Sequence, residues 1–347
     1  MRGVTFLGER KLQLMEFPDP TPGPHDVVVE IKASGMCGSD LKFYRASGGA
    51  ASLGLGKVSG PVIAGHEPCG VVAALGSAVG ERIARVGDRV MVHHYAGCGT
   101  CPHCRTGWSQ MCASGSTVYG VTGHGAHAPY MKVPAYTLVP LPDALGFATG
   151  AAISCGTGTA YQALRRMSLA GGDTIAIVGQ GPVGLSATQL AVAQGARVIA
   201  LDVESARLAK SKAFGAAATI NPSGGHVKDQ IWELTHGKGA DKSLETSGSS
   251  AAAKDALNAV KTWGTATFVG LGAEVAFDVR AFLGKQITIM TSWSMSILDQ
   301  KKCADFIVER GIDIDSLFTE NHRLEQAEAA YRDFDKQMRG KGVFLFT

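Results

Sequence analysis

Residues 173–202 read DTIAIVGQGPVGLSATQLAVAQGARVIALD. The run 173–178 has the short apolar character of a buried strand. Gly179-Gln-Gly-Pro-Val-Gly184 follows as a turn, and the pattern then predicts a helix to about Gln194, stopped by Gly195. Residues 197–201 form a second apolar run that ends at Asp202. In this setting each glycine of the turn has a mechanical task. Gly179 allows the tight turn, Gly181 lets the backbone approach a pyrophosphate, and Gly184 lets helix and strand pack closely. The helix start at Pro182 and Val183 then presents free N–H groups and a positive dipole end to phosphates. Asp202 lies near the ~20-residue offset at which a carboxylate takes the adenosine ribose hydroxyls. A carboxylate there repels a 2′-phosphate, which points to NAD over NADP. The plainer alternative is that Asp202 caps the next helix. Arg207 either covers the adenine or lies on a solvated helix face.

Working outward, helices are predicted over 205–214 and 251–260, and strands over 218–220, 242–245 and 265–269. Strand and helix alternate, the signature of an α/β unit with a helix-covered parallel sheet. Upstream the pattern differs. Short strands at 27–32, 70–74 and 89–93 stand among Gly and Pro, with few helical periods. Beyond residue 285 come a strand at 286–290, helices at 298–310 and 324–335, and a strand at 342–346. We therefore expect a Rossmann domain over 151–285. It interrupts a β-rich domain of residues 1–150 that is completed by 286–347.

The most specific local pattern is Cys98-x-x-Cys101-x-x-Cys104-x7-Cys112. Four thiolates on one lobe, about 93–114, close a tetrahedral zinc site and leave no place for water, so such a site is structural. Disulfides are the rival explanation. Three further segments offer metal ligands: Cys37 in GMCGSD, His66 and Glu67 in GHEPCG, and Cys155 in SCGTG. Two thiolates and one imidazole with an open fourth position form a catalytic zinc pattern. Cys69 and Cys303 read as plain buried thiols.

The chain has 347 residues, of which 45% are apolar and 18% charged, enough for two globular domains. Gly accounts for 45 of them, well above the usual share of about 7%. A net charge of +3 gives no reason to expect nucleic acid or an anionic membrane as partner. No apolar run approaches the ~20 residues of a membrane span, and the first residues lack a secretory apolar core. A cytoplasmic location is the resulting expectation.

GMCGSD, GHEPCG, the four-cysteine lobe, SCGTGTAY, GQGPVG with Asp202, and VGLG at 269–272 together resemble the zinc-dependent medium-chain alcohol dehydrogenases, across essentially the whole chain. The resemblance implies a GroES-like β-barrel catalytic domain, a Rossmann NAD-binding domain, two zinc ions per chain and a homodimer or homotetramer. It implies that Cys37, His66 and Cys155 ligate the catalytic zinc, with Glu67 as a supporting or alternating ligand. Ser39 would pass the substrate proton. Thr159, Val269, Gly270, Leu271, Ser292 and Trp293 would lie around the nicotinamide. The implied reaction is oxidation of an alcohol with hydride transfer to NAD, and the small residues at 46–57 with the aromatic Trp293 point to a medium-sized, partly apolar secondary alcohol. A sugar or polyol dehydrogenase is the alternative within the family. A zinc-free quinone or enoyl reductase and a non-catalytic NAD-binding protein are the alternatives outside it. Two departures stand out. Lys42 occupies a place where relatives often have a histidine that ends the proton relay. Pro129 stands where polyol-type members often carry a Glu. Tyr44, His94, Tyr95, Trp293 and Met295 are candidate pocket residues, and the Gly- and Ala-rich segment 46–57 reads as a mobile loop.

Overall fold

The strand Asp26–Gly35 organises the first part of the chain. It pairs antiparallel with Pro68–Leu75, with Tyr130–Pro134 and with the last strand, Lys341–Leu345. The computed structural model describes residues 1–47, 60–336 and 340–347, so most of the expected 46–57 loop lies outside the described residues. The sheet runs Phe318–His322, Lys341–Leu345, Asp26–Gly35, Pro68–Leu75, Arg89–Val92, Leu138–Pro140. Both faces are covered, so Asp26–Gly35 shows no clean alternation. Val27, Val29, Ile31, Val72, Val90, Met131 and Val133 fill one core cluster. A second cluster joins Val4, Met36, Leu41 and Tyr44 to Tyr331, Phe334 and Phe344 from the far end of the chain. Each such fully buried aliphatic or aromatic side chain contributes roughly 1.5–3 kcal/mol.

A hairpin, Arg2–Gly8 with Lys11–Glu16, was not anticipated. Its turn residues are Glu9 (φ 51°) and Arg10 (φ 59°). They adopt the left-handed backbone that Asn-Gly usually supplies, so the ordinary hairpin signal is absent from the sequence.

The second part is a six-stranded parallel sheet in the order Ala218–Ile220, Arg197–Leu201, Thr174–Val178, Ala240–Glu245, Val260–Phe268, Thr288–Thr291. This is the doubly wound order, with its switch point between Thr174–Val178 and Ala240–Glu245. Helices Pro182–Ala193, Ser205–Ala213 and Ser250–Ala259 follow three of the strands. The helix Val227–Leu234 had no sequence-based prediction. It begins at His226, which has a left-handed backbone and no side-chain cap, although Val227 and Ile231 are buried.

The chain divides into two units. The first holds Met1–Gly158, residues 295–336 and Lys341–Thr347; the second holds Thr159–Ser294. Both divisions fall later than the expected 150/151 and 285/286. The helix Phe147–Ile153 packs on strands of the first unit. The strand expected at 286–290 is Thr288–Thr291, which bonds to Val260–Phe268 as the edge of the parallel sheet rather than completing the first unit. Among the described residues no helix is long and apolar enough to cross a membrane.

In the first unit, strands Asp26–Gly35 and Pro68–Leu75 approach closely at a register shift. A Cβ on Gly70 would lie 2.0 Å from the Glu30 carbonyl oxygen. We expect Gly70→Ala to destabilise the protein by about 1–3 kcal/mol through backbone overpacking, measured by denaturant unfolding. An unchanged midpoint would show that the strands can move apart freely.

Candidate active site and metal centres

Three segments of the first unit carry the candidate ligands to one place. Cys37 follows the strand Asp26–Gly35 and precedes the short helix Asp40–Arg45. His66 precedes the strand Pro68–Leu75, and Cys155 sits between helices Phe147–Ile153 and Gly156–Arg166. Ligand atoms of Cys37, His66 and Cys155 all lie within 4.8 Å of one another. The separation and donor types fit a tetrahedral zinc ion with one place left open. Glycines clear the space around them. A Cβ at Gly35 would lie 1.9 Å from a Glu67 carboxylate oxygen, and one at Gly65 (φ +90°) would lie 2.4 Å from His127.

Asp40 stands behind His66, its Oδ1 2.8 Å from the imidazole Nδ1. The Cys37 N–H donates to the other oxygen, Oδ2, at 2.9 Å. Burial pushes Asp40 up, but the neighbouring His66 and the Cys37 N–H outweigh it and bring its pKa down to about 2. Burial disfavours a charged His66, yet Asp40 and Cys37 beside it raise its pKa well above the usual value. Cys37 is lowered, chiefly by the hydrogen bond from Cys155, and Cys155 is raised by the same contact. The two sulfurs thus shift each other in opposite directions, and a cation that bound both would favour their thiolate forms. Ser39 Oγ lies 3.0 Å from His66 Nε2 and 3.2 Å from Cys37 Sγ, at the rim of the cluster.

Glu67 is fully buried but is not one of the converging donors. Its carboxylate pairs with Lys341, whose ammonium also donates to the Met36 carbonyl at 3.1 Å. Burial raises Glu67 to about 7 against the pull of Lys341. Lys341 was not foreseen. The available signal was a lysine opening the otherwise apolar final strand KGVFL. Asp40 lay inside the quoted GMCGSD without a role. Lys42 is exposed on the helix Asp40–Arg45, and partial burial lowers its pKa.

Among the pocket candidates, His94 lies against His66 with ring centroids 5.2 Å apart, and its Nδ1 donates to the Ser154 carbonyl at 2.9 Å. Tyr95 stacks on His94 at 4.2 Å. Tyr44 is buried in the aromatic cluster with Phe6 and Tyr331. Met295 is likewise buried, against Gly158.

The lobe cysteines converge too. The sulfurs of Cys98, Cys101, Cys104 and Cys112 lie within 4.8 Å of one another, and none is in a disulfide. Backbone N–H groups of Cys101 and Cys98 donate to the sulfurs of Cys98 and Cys112 at 3.3 and 3.2 Å. Such bonds favour thiolates, and the Thr100 hydroxyl and backbone, with the Cys101 N–H, bring Cys98 to about 5. A Cβ at Gly97 would lie 2.5 Å from Cys104 Sγ, so the turn is fitted to the four sulfurs.

In the second unit the cofactor candidates gather at the carboxyl ends of the parallel strands. Gly179 has φ +91°, and a Cβ on Gly184 would lie 1.9 Å from the Gly179 carbonyl oxygen. A Cβ on Gly181 would meet nothing within 4 Å. That open cradle, at the N-terminus of the uncapped helix Pro182–Ala193, suits a pyrophosphate. Asp202 accepts from the Gln180 N–H at 2.6 Å and the Glu204 N–H at 2.8 Å, and Arg207 Nη1 lies 3.7 Å away. Its carboxylate thus joins the glycine turn to the approach of the next helix, and Arg207 is not on a solvated face. Val269 and Gly270 donate to the Glu245 carbonyl. Ser292 is buried, while Leu271 and Trp293 are exposed. Thr159 is buried in the helix Gly156–Arg166.

Comparison with known proteins places this geometry among relatives. Residues 23–143 match the alcohol dehydrogenase GroES-like domain, and residues 182–309 match the zinc-binding dehydrogenase family. An uncharacterized zinc-type alcohol dehydrogenase-like protein of Escherichia coli is 38% identical, over 98% of this chain and 97% of its own. A sorbitol dehydrogenase of Bacillus subtilis is 32% identical over 95% and 92%. Among solved structures, an alcohol dehydrogenase from Thermus sp. ATN1 superposes with a TM-score of 0.89 at 28% identity, covering 99% of both chains.

Proposed function

From the premise that the chain belongs to the zinc-dependent medium-chain dehydrogenase family, we propose that it is an NAD-dependent zinc alcohol dehydrogenase. Its reaction is the reversible oxidation of a secondary alcohol to the ketone. The observation that carries this reading is the meeting of Cys37, His66 and Cys155 within 4.8 Å, with Asp40 behind the imidazole. These three residues would hold the catalytic zinc, and Cys98, Cys101, Cys104 and Cys112 the structural one. Bound zinc supplies Lewis acidity toward the substrate oxygen, and bound NAD supplies the hydride acceptor.

The chain's own groups do the rest. Asp40 fixes the imidazole so that Nε2 faces the sulfurs. Lys341 holds the Glu67 carboxylate beside the cluster, where it is available as an alternating ligand. Ser39, at the rim, takes the hydroxyl proton of the alcohol. Lys42 lies one helical turn beyond it; in its neutral amine form, which partial burial favours, it accepts the proton that Ser39 gives up and releases it to solvent. In the second unit the 179–184 turn receives the pyrophosphate and Asp202 the ribose, with Arg207 at the adenine. Thr159, Val269, Gly270, Leu271, Ser292 and Trp293 receive the nicotinamide end.

A polyol substrate is the second reading. It is favoured by relatives named sorbitol dehydrogenase and D-xylulose reductase at about 30% identity over nine-tenths of the chain. Parallel assays with a secondary alcohol, a primary alcohol and a polyol, following NADH absorbance, separate the two.

Zinc analysis should give two ions per chain. Cys37→Ala and His66→Ala should keep one ion and NAD binding but lose alcohol oxidation by about a thousandfold or more, since Lewis acidity supplies several kcal/mol. Near-normal turnover in either variant would remove the metal from the reaction.

Asp202→Ala should weaken the preference for NAD over NADP, because the repulsion toward a 2′-phosphate disappears. The ratio of kcat/KM values for the two cofactors checks this, and an unchanged ratio would assign Asp202 to turn capping alone.

We also infer a homodimer or homotetramer. The edge strand Thr288–Thr291 and its surroundings expose Leu271, Phe277, Val279, Leu283 and Ile289 at 40–61%, a patch that a monomer rarely leaves in water. Ile289→Arg should shift the mass measured by light scattering toward the monomer. An unchanged mass would place the contact elsewhere.

A further inference from the structure

We propose that Tyr331 is a positioning residue of the Cys37–His66–Cys155 metal centre. It is the last link of a buried, one-directional string of hydrogen bonds, Ser34 to His127 to Tyr331, that locks Asp40 against His66. The inference rests on the zinc reading given above and adds to it residues that lie far from the sulfurs in sequence.

The links are short and dry. Ser34 Oγ lies 2.7 Å from His127 Nδ1, and His127 Nε2 lies 2.7 Å from the Tyr331 hydroxyl. That hydroxyl donates to Asp40 Oδ2 at 3.1 Å. Ser34, His127 and Tyr331 are wholly buried and Asp40 is 1% exposed. Chemistry sets the direction at each step. An ionised carboxylate can only accept, so Tyr331 gives its proton to Asp40. The Tyr331 oxygen then accepts from His127 Nε2–H. His127 Nδ1 is left as a lone pair, and Ser34 donates to it. Burial lowers His127 to about 4, which keeps the ring neutral, as this order of donors requires.

The string decides which carboxylate oxygen does what. Oδ2 receives both the Cys37 N–H and the Tyr331 O–H, while Oδ1 faces His66 Nδ1. Two donors on one oxygen fix the carboxylate plane, so the other oxygen keeps the imidazole proton on Nδ1. Nε2 is thereby directed toward the sulfurs. Groups behind a ligand histidine typically contribute 10–100-fold in metal affinity. Tyr331 also packs its ring against Phe6 and Phe344 at 4.8 and 6.2 Å between centroids. Phenylalanine would keep that packing and remove only the O–H.

The test uses the full chain, zinc with a competing chelator, and cobalt(II) as a spectroscopic probe. Tyr331→Phe should bind zinc at the three-donor site about tenfold more weakly and shift the visible bands of cobalt held there. The four-cysteine lobe should keep its parental zinc affinity and serve as an internal control. His127→Leu, which removes the donor behind Tyr331, should weaken the same site in the same direction by a smaller factor. His127→Gln, which can still donate an N–H, should restore affinity, and this pair reports even if Tyr331→Phe folds poorly. Parental zinc affinity and cobalt bands in folded Tyr331→Phe would overturn the proposal. So would equal loss at both metal sites, which marks general destabilisation. If the parent itself holds zinc only in the lobe, the metal-centre reading fails and this proposal fails with it. If the parent holds both ions and Tyr331→Phe changes nothing, only the role of Tyr331 fails.

Discussion

A carboxylate facing an imidazole in a dry interior, Asp40 against His66, is the contact on which the chemistry of the first unit depends. The two residues are 2.8 Å apart and 1% and 4% exposed. A buried charge survives only with partners, because leaving water costs several kcal/mol per ion. Around this pair lie a second buried carboxylate, Glu67, the sulfurs of buried Cys37 and partly exposed Cys155, and one buried ammonium, Lys341. On the proposed reading, a divalent ion among the sulfurs adds positive charge to this set, and its donors are soft enough to favour zinc over magnesium or calcium.

Space is the second constraint. Gly35 leaves room for the Glu67 carboxylate, Gly65 for the His127 ring, and Gly70 for the neighbouring strand. The closing pieces arrive from the end of the chain. The strand Lys341–Leu345 brings Lys341 to Met36, and the helix Ala327–Phe334 brings Tyr331 to Asp40. These contacts span about 300 residues of sequence. The site is complete only when both ends of the first unit have met. Loop closure over that distance costs entropy before the contacts offset it.

This separation explains what a sequence reader can see. The first strands of the parallel sheet were legible because Thr174–Val178 and Arg197–Leu201 are short apolar runs, each followed by its own helix, and the glycine turn lies beside them in sequence. The donors Cys37, His66 and Cys155 stood in glycine-rich motifs and were legible by type and order. Lys341, Tyr331 and His127 were not, since each looks ordinary where it stands. Lys341 opens a strand, Tyr331 falls in the apolar stripe of a helix, and His127 precedes a proline-containing turn. Their partners come only from distant segments: Met36 and Glu67 for Lys341, Asp40 for Tyr331, and Ser34 and Tyr331 for His127. Tyr44 shows the opposite error: an aromatic residue near a motif was read as pocket lining, yet it belongs to the core.

The two candidate metal centres also differ in a way that assigns them different tasks on the proposed reading. The lobe offers four sulfurs, with Cys98 exposed and the others partly so, on a segment with almost no apolar core. An ion there would have a closed shell, and its binding energy would serve to fold the lobe. The other centre offers three donors. It is sealed on the Asp40 side and reachable on the side of Ser39 and Cys155, both of which are partly exposed. An ion there would keep one place for a substrate oxygen. Burial would at the same time remove the water that screens it, so its pull on that oxygen would be stronger than in solvent. Reactivity follows from the missing fourth donor as much as from the three that are present.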